Sequence, residues 1–270
     1  MHRERGWGAP RRARVRLPHG WRLTAPIVLE IPTPTEGGQF GISLYGGADL
    51  NGGGLADLLV GANGENGGGI ERSGRVDVFP GTTSGLSIEP SEVLLNPNGG
   101  NEGMYGQTVA AADLFGDGVP DVVVTAPCED LAGLRCVGRV HVYQRTASGT
   151  EVISLEPTVA AMDLAFGLRM VAIDASTAGR AGVRIATPFA GMGHVFAYRV
   201  EADGTLSGPV ELDAPGLAAE AAFGYFMGAV GMWPVMGRSS SPSARRETRT
   251  PRGGRGKQRR GSTGGRATGR

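Results

Sequence analysis

Several things are scarce in this 270-residue chain, and each scarcity excludes something. No apolar run approaches the roughly 18 to 20 residues that a membrane-spanning helix needs, so no span is expected. Histidine occurs four times, at 2, 19, 141 and 194, scattered and without the spacing of a zinc site. Cysteine occurs twice, at 128 and 136, a spacing that excludes a CxxC redox motif. No G-x-S-x-G elbow is present, and Gly67-Gly68-Gly69 lacks the strand-to-helix context of a phosphate loop. Lysine occurs once, beside 26 arginines, a bias that GC-rich codons produce and no folding requirement explains.

What is abundant is turn chemistry. Gly at 47 positions and Pro at 17 disfavour long helices and point to many short strands joined by turns. Charge is unevenly placed. Residues 1–30 hold seven Arg against Glu4 and Glu30, and residues 237–270 hold ten Arg and Lys257 against Glu247. Between them nine Arg face 23 acids, so an acidic body lies between two basic ends. Arg3 to Arg22 is basic without the apolar stretch of a secretory signal.

Internal repetition decides the fold class. Phe40-Gly41, Tyr105-Gly106, Phe166-Gly167 and Phe223-Gly224 each open a similar segment: aromatic-Gly, an Asp, a Gly-rich loop, then a β-branched run. A second strand signal follows at Gly74 to Phe79, Gly138 to Tyr143 and Gly193 to Tyr198, with period-two alternation. A last short strand is expected at Glu92 to Leu95, Glu151 to Leu155 and Val210 to Leu212, and Ile27 to Ile31 holds the same place before Phe40. About four strands per roughly 60 residues is the arithmetic of a propeller blade, whose sheet must stack on neighbours to bury both faces.

On these residues the chain resembles the FG-GAP repeat family, the blades of the integrin α-chain N-terminal β-propeller and its bacterial relatives, over about residues 21–230. The expected architecture is all-β: blades of four antiparallel strands at 40–95, 105–157 and 166–213, and the start of another at 223. A basic segment, 1–20, precedes them, and an Arg/Gly/Ser-rich tail, 231–270, follows. The resemblance implies a non-catalytic recognition or adhesion scaffold, extracellular or at the cell surface, with an unidentified protein or glycan ligand. It equally leaves open an accessory propeller part of a secreted, phospholipase D-like hydrolase, or a propeller lectin. A lectin needs aromatic platforms repeated at loop tips, and aromatics make up only 6% of the chain. In an incomplete ring the terminal strands leave unpaired edges, so self-association through them is expected.

The candidate site is a calcium loop between the first two strands of a repeat. In repeat two, Asp113, Asp117 and Asp121 stand at loop positions 1, 5 and 9, with Gly118 at 6 for the sharp turn and the Val119 carbonyl at 7. Repeat one offers Asp49, Asn51 and Asp57 with the Leu55 carbonyl. Against the family pattern D-x-D/N-x-D-G-x-x-D, Phe115 replaces position 3 of one loop and Gly53 position 5 of the other. Repeat three keeps Asp174 and Ser176 but has Ala178 and Gly182, and no metal is expected there. A strand, not a helix, follows each loop and no Glu stands at position 12, so the pattern is not an EF-hand. Weak extracellular-type binding, on the order of 10⁻⁴ to 10⁻³ M, suits so few carboxylates. Asp and Gly as plain turn residues are the alternative.

Three further readings complete the sequence picture. Cys128 and Cys136 bracket one hairpin loop, where a disulfide would staple it in an oxidising compartment and two free thiols are the alternative. His141 falls on a strand face, and Arg75 and Arg139, recurring at one blade position, are expected to form salt bridges. The basic tail lacks aromatics to stack bases, so no nucleic acid is expected as a partner. Repeat four should reach its Asp loop where Met232-Trp233-Pro234-Val235-Met236 stands instead. A reading frame shifted by one base permits Asp-Val-Ala-Gly-Asp-Gly there, so the tail is read as frameshifted and the chain as a fragment.

Overall fold

A computed structural model describes residues 27–228 apart from 147, 176–180, 213, 219 and 220; both basic ends and the shifted-frame segment lie outside the described residues. No helix occurs among the described residues, and three four-stranded antiparallel sheets follow one another along the chain. The first runs β1 (Ser43–Ala48), β2 (Asp57–Ala62), β3 (Arg75–Phe79) and β6 (Glu92–Leu95). A small hairpin of β4 (Gly81–Thr82) and β5 (Gly85–Leu86) interrupts it. The second holds β7 (Val109–Ala112), β8 (Asp121–Ala126), β9 (Arg139–Thr146) and β10 (Gly149–Leu155). The third holds β11 (Arg169–Ile173), β12 (Gly182–Thr187), β13 (His194–Val200) and β14 (Leu206–Glu211). Incomplete propeller blades are the architecture that results.

Strand composition follows from the stacking. Alternate residues of a strand point to opposite faces, and the middle blade is covered on both. Val122 and Val124 join Leu59, Val76, Val78 and Leu94 in one core, while Val123, Val140 and Val142 join Met170, Val183 and Ile185 in the other. This is why β8 reads as an unbroken valine run, buried throughout, rather than as an alternating strand.

The aromatic-Gly landmark is the joint between blades. Tyr105 and Phe166 are fully buried, and their amides donate to Ser73 O (3.1 Å) and Val137 O (2.9 Å) of the preceding blade. The next residue in each of those loops is Gly74 or Gly138, with φ of +86° and +93°. A Cβ on Gly74 would lie 2.0 Å from Tyr105 O, and on Gly138 2.3 Å from Phe166 O, so the seat admits only glycine. Phe223 takes the same seat, donating to Met192 O at 2.9 Å.

One flanking expectation is corrected. Ile27 to Ile31 forms no strand, because no described neighbour offers it a ladder. After Phe223, residues 223–226 form the same turn and bend that follow Phe40 and Phe166, and most of the stretch where a first strand is expected lies outside the described residues. Two last strands also shift: β10 begins at Gly149 rather than Glu151, and β14 runs from Leu206 rather than Val210, because the hairpin pairs back further than Pro and β-branching indicated.

Candidate functional site

Both acidic hairpins are built alike. In a Gly-rich turn the backbone amides need acceptors, and the acids supply them. Asp113 accepts from Gly116 N (2.7 Å), Asp117 N (3.2 Å) and Gly118 N (3.0 Å); Asp117 accepts from Val119 N (2.9 Å). Asp121 is fully buried, accepting from Leu114 N (2.9 Å) and Arg145 N (3.0 Å). In repeat one Asp49 accepts from Gly53 N and Gly54 N, and Asn51 Oδ1 from Gly53 N. Asp57, also buried, accepts from Leu50 N (2.8 Å), Gly81 N (2.8 Å) and Asn51 Nδ2 (3.1 Å). The ninth-position acid thus ties its loop to the third strand of the blade in repeat two, at Arg145 of β9, and to the hairpin that follows the third strand in repeat one, at Gly81 of β4.

Among the described residues no three carboxylate, imidazole or thiolate groups gather closely enough to hold an ion as they stand. The chemistry of the second loop nevertheless suits a hard cation. Burial pushes the Asp121 carboxyl up to about 6; amide bonds from Arg145 and Leu114 pull it down, and the Asp117 and Asp113 charges push it further up. A cation there would offset that repulsion, and apart from Asp113 Oδ1, which accepts two amides, each carboxylate oxygen of the loop accepts at most one described bond and keeps a second lone pair. The first loop is poorer, with one carboxamide and no side chain at Gly53. In repeat three, Asp174 turns to the neighbouring blade and accepts from Asp113 N (3.1 Å); Ser176 and Ala178 lie outside the described residues.

At the opposite ends of the strands lies a polar network that sequence reading missed. Glu129 is 2% exposed and accepts from His141 Nε2 (3.0 Å), Asn98 Nδ2 (2.6 Å), Asn96 Nδ2 (3.3 Å) and Arg139. Asn96 and Asn98 belong to the linker leaving blade 1, so this carboxylate fastens one blade's exit to the next. Glu65 does the same one repeat earlier, taking Thr35 N at 2.9 and 3.1 Å. The signal was present as Ala-x-x-Glu at Ala62–Glu65 and Ala126–Glu129. His141 is a buried strand-face residue, Arg75 pairs with Asp77, and Arg139 pairs with Glu129 and Glu156, as expected. Cys128 and Cys136 form a disulfide. Beside it an open cleft of about 560 Å³, lined by Asn63, Glu71, Asn101, Glu102, Asp130 and Arg135 among others, separates the β2–β3 and β8–β9 loops; no aromatic ring lines it.

No family model matches the chain. Among curated proteins, 150 residues are 35% identical to phosphatidylinositol-glycan-specific phospholipase D of Mus musculus, 53% of this chain and 18% of that protein. Integrin alpha-4 of Xenopus laevis is 35% identical over 146 residues, 53% of this chain and 13% of that one. With the stacked blades and aromatic-Gly joints in place, these likenesses bear on the repeat type. The blades are FG-GAP-like. Integrin alpha-PS5 of Drosophila melanogaster adds 32% identity over 117 residues, 41% of this chain and 11% of that protein. This chain therefore spans less than a fifth of the length of these relatives.

The Glu129 knot makes a stability prediction for these FG-GAP-like blades. Burial opposes its ionisation, but bonds from His141, Asn98 and Arg139 outweigh burial and hold its carboxyl below the usual range. A depressed pKa gives stability that is fully present above the ordinary glutamate value and lost as pH falls through the folded one. Glu129→Gln should cost about 2 kcal/mol at neutral pH, with the gap to the parent closing below about pH 4. Urea unfolding at both pH values measures it; an equal loss at both would mean the charge is irrelevant.

Proposed function

We propose that this chain is a calcium-stiffened, non-catalytic recognition module of an extracellular or cell-surface protein. The observation that supports it best is a division of labour along the strands. Acidic hairpins repeat at one end, at Asp113 to Asp121 and Asp49 to Asp57, while loops at the other end frame an open polar cleft. Calcium would be held by Asp113, Asp117, Asp121 and the Val119 carbonyl, and more weakly by Asp49, Asn51, Asp57 and the Leu55 carbonyl. There it supplies charge neutralisation and a rigid loop, not chemistry. No helix among the described residues is long and apolar enough to cross a membrane.

A second reading, an accessory propeller part of a secreted hydrolase, is favoured by the likeness to the mouse phospholipase D. The lectin reading is weakened because the cleft lacks rings, and the exposed Phe189, Tyr225 and Phe226 gather in one unit instead of repeating. Protein and glycan arrays probed in millimolar calcium and in chelator test the proposal, beside an assay for lipid-anchor release. Binding that needs calcium and is lost in Asp117→Ala is expected. Calcium-indifferent binding, or anchor release by the chain itself, would overturn it.

A further inference from the structure

The β2–β3 and β8–β9 connections are one hairpin loop made twice. Residues 63–74 and 127–138 are equal in length, and each loop is pinched by a bridge, Gly67 to Ile70 in one and Leu131 to Leu134 in the other. Arg72 N donates to Asn66 Oδ1 (2.9 Å) where Cys136 N donates to Asp130 Oδ1 (3.0 Å), and Arg72 and Cys136 share a left-handed φ, +48° and +50°. In this alignment Cys128 replaces Gly64, Cys136 replaces Arg72 and Val137 replaces Ser73.

The last replacement removes a cross-link. The buried Ser73 hydroxyl accepts from Gly67 N (3.0 Å) and donates to Gly67 O (3.2 Å), which ties the end of the blade 1 loop to its middle. Val137 has no hydroxyl, and Cys136, one residue earlier, is tied to Cys128 by the disulfide instead. A hydrogen bond ignores reductant; a disulfide does not. Blade 3 has only residues 188–193 between β12 and β13, too few to need closing.

Cys136 stands where the next blade is seated. Its carbonyl accepts from Ala165 N (3.0 Å), between the bonds from Asp163 N to Arg135 O (2.9 Å) and from Phe166 N to Val137 O (2.9 Å), and Arg135 and Asp163 are ion-paired on the outside. Cys128 is the fixed end: its amide donates to Gly103 O (3.1 Å), and its neighbour is the buried Glu129. Both cysteines are half-buried and line the cleft, which gives a small reductant a way in. We propose that the Cys128–Cys136 disulfide is a redox-sensitive latch on the joint between blades 2 and 3, whereas Ser73 closes the joint between blades 1 and 2 without redox sensitivity. A dithiol opens the latch: its thiolate attacks one sulfur, the protein S–S bond breaks, and its second thiol resolves the mixed disulfide. Two electrons and two protons pass to the cysteines, leaving two thiols, and the dithiol departs as a cyclic disulfide. The latch stands apart from calcium binding and from whatever the cleft recognises.

Hydrogen exchange read amide by amide, in chelator with and without dithiothreitol, tests it, beside a thiol titration that should find no free thiol before reduction. Reduction should speed exchange at the Ala165 and Phe166 amides about tenfold or more, because opening the loop loosens the seat locally. Tyr105, whose amide is held by Ser73 O, should be nearly unchanged. Cys128→Ser with Cys136→Ser should show the reduced pattern without reductant and no response to it. Ser73→Ala should do the converse, speeding Tyr105 in either redox state. Phe166→Ala should lower the urea midpoint less after reduction than before, since the seat it empties is already loosened. Reduction of the folded parent gives the reading even where a variant fails to fold. Free thiols before reduction, a Phe166 amide indifferent to dithiothreitol, or equal acceleration at Tyr105 and Phe166 would each overturn the proposal.

Discussion

Millimolar calcium should raise the thermal midpoint of this protein by about 1 to 6 °C. The figure follows from linkage: for a Kd on the order of 10⁻⁴ to 10⁻³ M, about 1 mM calcium stands at roughly one to ten times Kd, so binding to the folded state alone adds about 0.4 to 1.4 kcal/mol. In a domain of this size each kcal/mol moves the midpoint by roughly 2 to 4 °C. Two variants separate metal binding from loop architecture. Asp113 holds three backbone amides, so Asp113→Ala should lower the midpoint even in chelator, by about 1 to 2 kcal/mol, as well as abolish the calcium shift. Asp117 is exposed and holds one amide, so Asp117→Ala should be nearly silent in chelator yet lose most of the calcium response. The pH dependence carries its own sign. Asp121, with its carboxyl pushed up to about 6, is destabilising when ionised without an ion, so the protein in chelator should gain stability from this group as pH falls from 7 towards 5. Calcium favours the ionised form, and its affinity should fall over the same interval. A midpoint that ignores calcium, with Asp113→Ala and Asp117→Ala behaving identically, would reduce the hairpins to turns.

What the sequence disclosed, and what it withheld, divides by range. Strands β2, β3, β8, β9 and β13 were legible because side-chain alternation and flanking glycines are local properties of the chain. The blade count followed from the aromatic-Gly spacing for the same reason. Ile27 to Ile31 looks like a strand by composition, but a strand needs a neighbour, and that depends on what lies beside it in space. The candidate acids were legible as a spacing. Their actual partners were not, since Asp57 reaches Gly81 and Asp121 reaches Arg145 across the sheet. Asp174 is the sharpest case: read as the remnant of a third loop, it accepts the Asp113 amide of the second. Glu65 and Glu129 repeat in register as Ala-x-x-Glu, yet that spacing does not reveal a buried carboxylate until the linker it fastens is known.

The joint between blades predicts a graded response to one substitution made at two repeats. Phe166→Ala should cost about 4 kcal/mol, the range for emptying a buried phenylalanine site. Its ring is fully buried, 5.9 Å from the Phe196 ring and 6.4 Å from the Tyr198 ring, with β-branched residues of two blades around it. The backbone on either side leaves little room to collapse, because Phe166 N is hydrogen-bonded to Val137 O and Gly138 abuts the Phe166 carbonyl. Phe40 occupies the same place in its repeat but is only half-buried, edge-on to Phe79 at 6.2 Å. Losing it strips less apolar contact, and Phe40→Ala should cost about 1 to 2 kcal/mol. Chemical denaturation of the two variants, read by the midpoint and by the slope, measures the contrast. Equal losses at Phe40 and Phe166 would show that the aromatic stabilises its own blade alone. A larger loss at Phe166 shows that it holds two blades together, and that stability in this arc resides in the joints more than in the sheets.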